Sequence, residues 1–295
     1  MIGHITIICF ASSYLTAFGL EITRMFFRSG VRGAAMLGFA GVGLLMHTLF
    51  LVNWWISEGQ APLSSEFDWC LVAAWILVVI YFILVFYHPR NPIGLFCLPL
   101  ILGFIAVAWF WASQEPFPKA QGTRWWQVAH GGSLLLGTVA VTVGFVSGLM
   151  YLLQAYRLKH KLPPRRGFEL PSLEWLSQVS ERAIVFSVIL LLCGFGSGLM
   201  LSKLAHNAVS WSDPVVWSSS LLAAWMAVVA VFNFAYKASR QGRKVAYLTI
   251  ATFVFLVWTL ASLLVGHDHE RNVGGRFFET QTAATVVTLS QGGRP

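Results

Sequence analysis

Apolar residues in this chain come in long runs divided by short polar breaks. A helix needs about 20 such residues to cross a hydrocarbon core about 30 Å thick, and runs of that length recur at roughly 3–23, 34–56, 67–87, 93–112, 127–155, 181–203, 216–236 and 245–266. The pattern predicts an all-α integral membrane protein, a bundle of about eight transmembrane helices forming one polytopic domain over residues 1–270. After Arg271 the sequence turns polar and rich in Gly and Thr, which predicts a disordered external tail over 271–295.

The breaks alternate in charge. One set holds Arg24, Arg28, Arg32, then Arg90, then Arg157, Lys159, Lys161, Arg165 and Arg166, then Lys237, Arg240, Arg243 and Lys244, which is 13 of the 20 basic residues. The other set has only Lys119, Arg124 and Lys203 but carries Glu58, Glu66, Asp68, Glu115 and Asp213. The positive-inside rule assigns the first set to the cytoplasm, so both termini fall on the outer, periplasmic side of a cell inner (cytoplasmic) membrane. Proline agrees, since "HPRNP" (88–92) and "KLPPRRGFELPS" (161–172) stop helices where two breaks are expected. Gly144/Gly148 and Gly194/Gly198 have the small-xxx-small spacing that lets helix backbones approach. In a chain with 26 glycines, however, such pairs also arise by chance.

Composition strengthens the membrane reading. Fifty-seven per cent of residues are apolar, 11 % are charged, and the mean hydropathy is +0.68; soluble domains hold roughly 45–50 % and 25 %. A net charge of +8 would suit nucleic acid, but basic clusters between apolar runs are an orientation signal, and no nucleic-acid partner is called for. Cys9, Cys70, Cys97 and Cys193 all fall within apolar runs without a C-x-x-C pair, so they read as packing residues. The first run lacks a basic segment before it and a small-residue cleavage site after it, and reads as a retained helix.

Histidines are the candidate chemistry. The last run ends in "LLVGHDHE" (263–270), on imidazoles where tryptophan, tyrosine or lysine usually anchors a helix. His267 closes span eight and His130 opens span five in "QVAHGGSLLLG", so both belong to the outer interface. Two neutral imidazoles on opposite faces of a flat macrocycle make a six-coordinate haem site. Interfacial histidines that bond only water or headgroups are the commoner case, and spacing alone leaves both readings open. His269 and His206 are external too and look more solvated. His47 lies well inside span two, where an ionisable group is a functional candidate by default, the alternative being a buried histidine bonded to a neighbouring helix. Trp211 and Trp217 flank Asp213-Pro214 in the external break before span seven; they suit an aromatic belt or a stacking shelf for a porphyrin.

The order of these features resembles the cytochrome c assembly family of CcsA, ResC and HemX-like membrane proteins of system II biogenesis. "MHTLFLVNWWISEGQAPLSSEFDWCLVAAWILVVIYFIL" is similar to that family's early histidine span and its sequel, and "NPIGLFCLPLIL" to the span that follows. "VAHGGSLLLGTVAVTVGFVSGLMYLLQ" resembles the external-histidine span, "LPSLEWLSQVSERAIVFSVILLLCGFGSGL" the approach to the tryptophan-rich motif, and "GRKVAYLTIATFVFLVWTLASLLVGHDHE" the closing span. The likeness runs from about residue 10 to 270. It implies that His130 and His267 are external axial ligands to haem, that His47 is an intramembrane one, and that Trp211, Asp213, Pro214 and Trp217 remain from the tryptophan-rich motif. It implies haem, apocytochrome c and a second assembly protein with a large external domain as partners beside the lipid bilayer.

Departures from the family pattern are equally specific. Ser212 precedes Asp213, Val215 and Val216 stand where Lys-Glu is expected, the segment is one residue short, and Asn233 stands where a second intramembrane histidine is expected. Three functions follow. A haem-presenting component of cytochrome c maturation, active as part of a haem-attaching complex, would work by positioning and needs no nucleophile or base pair of its own. A HemX-like or YpjD-like regulator or scaffold without synthetase activity is the alternative that the departures favour. A transporter ranks last, since the spans hold almost no charged residue near the midplane and no inverted repeat with broken helices.

Overall fold

A computed structural model describes residues 6–24, 30–58, 63–88, 91–117, 124–162, 169–206, 214–235 and 242–263. Each predicted span is a helix: α1 (Ile7–Arg24), α2 (Gly30–Glu58), α3 (Glu66–Tyr87), α4 (Gly94–Phe110), α5 (Arg124–Lys159), α6 (Leu173–His206), α7 (Pro214–Ala235) and α8 (Arg243–Leu263). No strand occurs among the described residues. Among the described residues six helices are long and apolar enough to cross a membrane, while α1 and α4 contribute shorter apolar stretches, Ile7–Thr23 and Gly94–Phe110. The predicted external tail lies outside the described residues.

Caps set the helix ends. α3 starts at Ser65, whose backbone is extended and whose side-chain oxygen accepts the Asp68 N–H, satisfying one of the orphan donors of the first turn. α6 begins eight residues before its apolar run because Ser172 caps it: its hydroxyl accepts from Trp175 N at 3.3 Å and its carbonyl from Leu176 N at 3.0 Å. α7 opens on Pro214, whose missing N–H costs nothing at a first helical position. The turn into α8 uses Gly242 at φ 87°, a left-handed conformation suited to glycine, with its N–H donated to Ser177 Oγ at 3.1 Å.

Two apolar clusters build the interior, and α5 is their shared wall. Val139, Val146 and Met150 join the core of α1–α4 around Phe10, Tyr14, Leu71, Tyr81 and Leu98. Val141 faces the other way, toward Ile184, Val188, Met226, Val229 and Leu256 of α6–α8. Both glycine pairs flagged by spacing sit at close approaches. A Cβ on Gly144 would stand 3.3 Å from Ala183 Cβ and from Thr249 Cγ2, and one on Gly148 3.1 Å from the Ala246 carbonyl oxygen, so α8 lies directly on α5 there. Hydrogen bonds add to the packing between neighbouring helices: Trp75 to Thr48 at 2.9 Å, Ser147 to Ser180 at 2.9 Å and Trp225 to Thr252 at 3.0 Å. The outward faces remain apolar, with Leu15, Phe39, Leu45, Val231, Val254 and Trp258 exposed, as lipid contact requires.

The described loop residues fall into two groups at opposite ends of the bundle. The α2–α3 and α4–α5 turns meet at one end, where Phe117 N donates to Ser64 O at 2.8 Å. At the other end His88 beyond α3 packs edge-on against Trp175 of α6, 5.0 Å between centroids, and Gly242 before α8 bonds α6. This grouping matches the alternation of basic and acidic breaks.

Candidate functional site

The acidic end is a hydrogen-bonded clamp. Asp68, 2 % exposed, accepts from Trp54 Nε1 at 2.9 Å through one oxygen, and from Ser64 N and Ser64 Oγ at 3.2 and 3.0 Å through the other. Glu66, also buried, accepts the Ser113 N–H at 3.2 Å, and Phe67 N donates to Ser113 O at 3.1 Å. Asp68 thus ties α2 and the α2–α3 turn to the head of α3, and Glu66 ties the α4–α5 turn to it. A buried carboxylate is tolerable where donors satisfy it.

His130 stands at the same end, in the second turn of α5. Its Nδ1 lies 2.7 Å from the carbonyl oxygen of Gly194 on α6. A carbonyl only accepts, so Nδ1 carries a proton, and in the neutral tautomer that this selects the lone pair is on Nε2. The ring rests on Gly198, one turn further along α6, where a Cβ would be 2.7 Å from Cε1 and 2.9 Å from Nδ1. Gly194 in turn makes room for Leu134, whose Cδ2 would be 2.5 Å from an added Cβ. The Gly194/Gly198 pair therefore places α5 on α6 and seats the imidazole in a fixed tautomer, the arrangement that second-shell carbonyls give to metal-binding histidines.

Of the other predicted site residues, His267, Trp211 and Asp213 lie outside the described residues. Trp217 is in the first turn of α7 and 69 % exposed. Beside it, Ser218 receives the last turn of α8: Ser262 Oγ donates to Ser218 Oγ at 2.7 Å and Thr259 Oγ1 to Ser218 O at 3.4 Å. α8 therefore ends where α7 begins, at the end of the bundle that holds His130.

His47 is elsewhere, in the interior of α2, fully enclosed. Its ring lies parallel to Phe10 of α1 at 4.2 Å, and Nδ1 is 3.4 Å from Tyr14 Oη. Asn233, at the position where a second intramembrane histidine was expected, is buried in α7. Among the described residues no three His, Cys, Asp or Glu side chains converge as a metal cluster. The four cysteines are unbridged, Cys70 buried and Cys9 and Cys193 exposed, so only part of the set packs inside the bundle.

Sequence reasoning passed over the Asp68 clamp, although Ser65-x-x-Asp68 is the spacing of a helix cap. Gly198 as the seat of His130, and Phe10 and Tyr14 as neighbours of His47, carried no such local signal, because each contact joins residues from different helices.

Comparison with known proteins fits this arrangement. The cytochrome C assembly protein family model matches residues 63–267. The cytochrome c biogenesis protein CcsA of Guillardia theta is 25 % identical over 232 residues, spanning 72 % of this chain and 75 % of that protein. The matched family region begins after α2 and reaches His267, taking in Ser64, Glu66 and Asp68 of the clamp, His130 and the α7–α8 contact. On that match, the chain belongs to the cytochrome c assembly protein family.

Proposed function

We propose that this protein is a membrane component of cytochrome c maturation that binds haem at the outer face through His130 and His267 and presents it for attachment to apocytochrome c. The observation that carries the reading is the seat of His130: its Nδ1 proton is committed to the Gly194 carbonyl, leaving Nε2 as a ligand nitrogen, and the donor set fits haem iron. When bound, haem supplies the vinyl groups that thioether formation consumes. The chain itself holds the ring nitrogen in place through α6, fixes the neighbouring turns through Asp68 and Glu66, and offers Trp217 and Trp211 as an apolar shelf, with Asp213 between them in sequence. In this reading eight helices cross the cytoplasmic membrane, with both termini outside and residues 1–270 as one membrane domain. A second assembly protein with a large external domain completes the complex, and His47 is a further haem ligand within the membrane.

The test is the pigment of the detergent-purified protein. The wild type is expected to carry low-spin haem, and His130→Ala with His267→Ala to lose most of it; a full complement of low-spin haem in the double variant would overturn the ligand assignment. A second reading, a HemX-like or YpjD-like regulator or scaffold, is favoured by Asn233 in place of histidine and by Val215 and Val216 in place of Lys-Glu. Deleting the gene separates the two: haem staining should show depleted c-type cytochromes if the protein serves maturation, and normal levels if it is a scaffold.

A further inference from the structure

α5 packs far more closely on α6 than on α3 or α4, so the two cores meet along a seam. A narrow apolar cleft runs in that seam, with about 480 Å³ of space between atoms counting its open side. Leu77 and Leu84 of α3 and Cys97 of α4 line one wall, and Val143 and Met150 of α5 and Trp175 of α6 the other. Two hydroxyls reach the lining, and both are engaged within the bundle: Thr142 Oγ1 donates to Thr138 O at 2.8 Å, and Ser147 Oγ bonds Ser180 Oγ at 2.9 Å. Apart from the Cys97 thiol and the Trp175 indole the remaining side chains are apolar, so what enters is hydrocarbon. The basic end of the bundle continues the cleft. His88 follows Leu84 by one turn at the end of α3, and its ring packs edge-on against Trp175, 5.0 Å between centroids. Arg157 follows Met150 by two turns of α5 and so lies on the same face. Over residues 157–174 the chain carries Arg157, Lys159, Lys161, Arg165 and Arg166 against Glu169 and Glu174. From Thr142 to Arg157 α5 rises about 22 Å, half of a bilayer that measures about 40–45 Å with its headgroups. Cleft and cations together have the depth of one leaflet, hydrocarbon inward and charge at the rim.

We propose that this seam binds an anionic phospholipid, with one acyl chain in the cleft and the phosphate at the rim formed by Arg157 and the His88–Trp175 pair. Charge complementarity selects the headgroup, since basic pockets between transmembrane helices on the cytoplasmic side hold anionic lipids, and the charge alternation assigns this end to the cytoplasm. Trp175 stands where aromatic residues ordinarily meet headgroups. A slender chain suits the narrow cleft and fills the seam where α4 and α5 have few contacts of their own. The site lies at the end of the bundle away from His130 and is independent of what the outer end binds.

The experiment uses the full chain in detergent micelles doped with a phosphatidylglycerol that carries a diazirine on its acyl chain. Light fixes the lipid to what it touches, and peptide mass spectrometry reads where. Crosslinks are expected on cleft residues, Cys97, Val143 and Met150 among them, and should be competed away by unlabelled phosphatidylglycerol and not by phosphatidylcholine. Arg157→Gln should weaken the cleft labelling about 5-fold, the effect of one cation beside an anionic headgroup. Val143→Phe, which fills the cleft, should remove the cleft crosslinks and keep those on the outward faces; if that variant does not fold, Arg157→Gln at the rim carries the test. Labelling no stronger in the cleft than on outward residues such as Phe39 and Val254 would mean bulk lipid only and overturn the site. Equal competition by phosphatidylcholine, or undiminished labelling in Arg157→Gln, would overturn the anionic lipid as occupant. Displacement of the cleft label by added hemin, with unlabelled phosphatidylglycerol failing to displace it, would assign the cleft to the macrocycle and equally overturn the proposal.

Discussion

A single glycine decides where His130 stands. The imidazole lies against Gly198, and a Cβ 2.7 Å from Cε1 would displace either the ring or the helix. Gly198→Ala is therefore expected to displace the proposed ligand nitrogen while costing about 1–3 kcal/mol in overpacking. Optical spectra should show haem lost or turned high-spin in a protein that still folds; unchanged low-spin haem would mean that the seat is irrelevant. Asp68 acts on stability instead. Asp68→Asn puts an NH2 where donors converge from Trp54 and Ser64, at a cost of about 1–3 kcal/mol. The thermal unfolding temperature in detergent should fall while the absorption spectrum of bound haem is kept. Of these two sites, His130 was legible from its place after a polar break. Its contact with Gly198 was not, because the pair lies 68 positions apart in the chain.

Helices were more legible than contacts. Long apolar runs gave all eight, since hydrophobic length is a local property. Their ends were less legible: α6 starts at Leu173 and not 181 because the Ser172 cap, and not apolarity, begins it. Spacing suggested the Gly144/Gly148 pair, but only the three-dimensional arrangement pairs it with Ala246 and Thr249 of α8. Gly148→Val should push α8 off α5, lowering the unfolding temperature and reducing haem content, because α8 leads to His267. Gly103→Val, at a glycine with nothing within 4 Å, is the matched control and should do neither. Equal effects from the two variants would remove any special role for the α5–α8 approach.

Across the whole molecule, the clamp, the His130 seat and the α7–α8 contact at Ser218 gather at one end of the bundle, while His88, Trp175, Ser177 and Gly242 gather at the other. The alternation of charge anticipated this grouping because loop chemistry follows compartment. It said nothing of α5 as the wall between two cores, which depends on opposite faces of one helix. The central claim is that residues 130 and 267 share one membrane face closely enough to grip one haem. Spin labels on His130→Cys and His267→Cys, in a chain with its four native cysteines replaced, measure their separation by pulsed electron resonance. The account predicts a short distance, that of two side chains flanking one macrocycle; a separation near the roughly 30 Å of the hydrocarbon core would place them on opposite leaflets and contradict it.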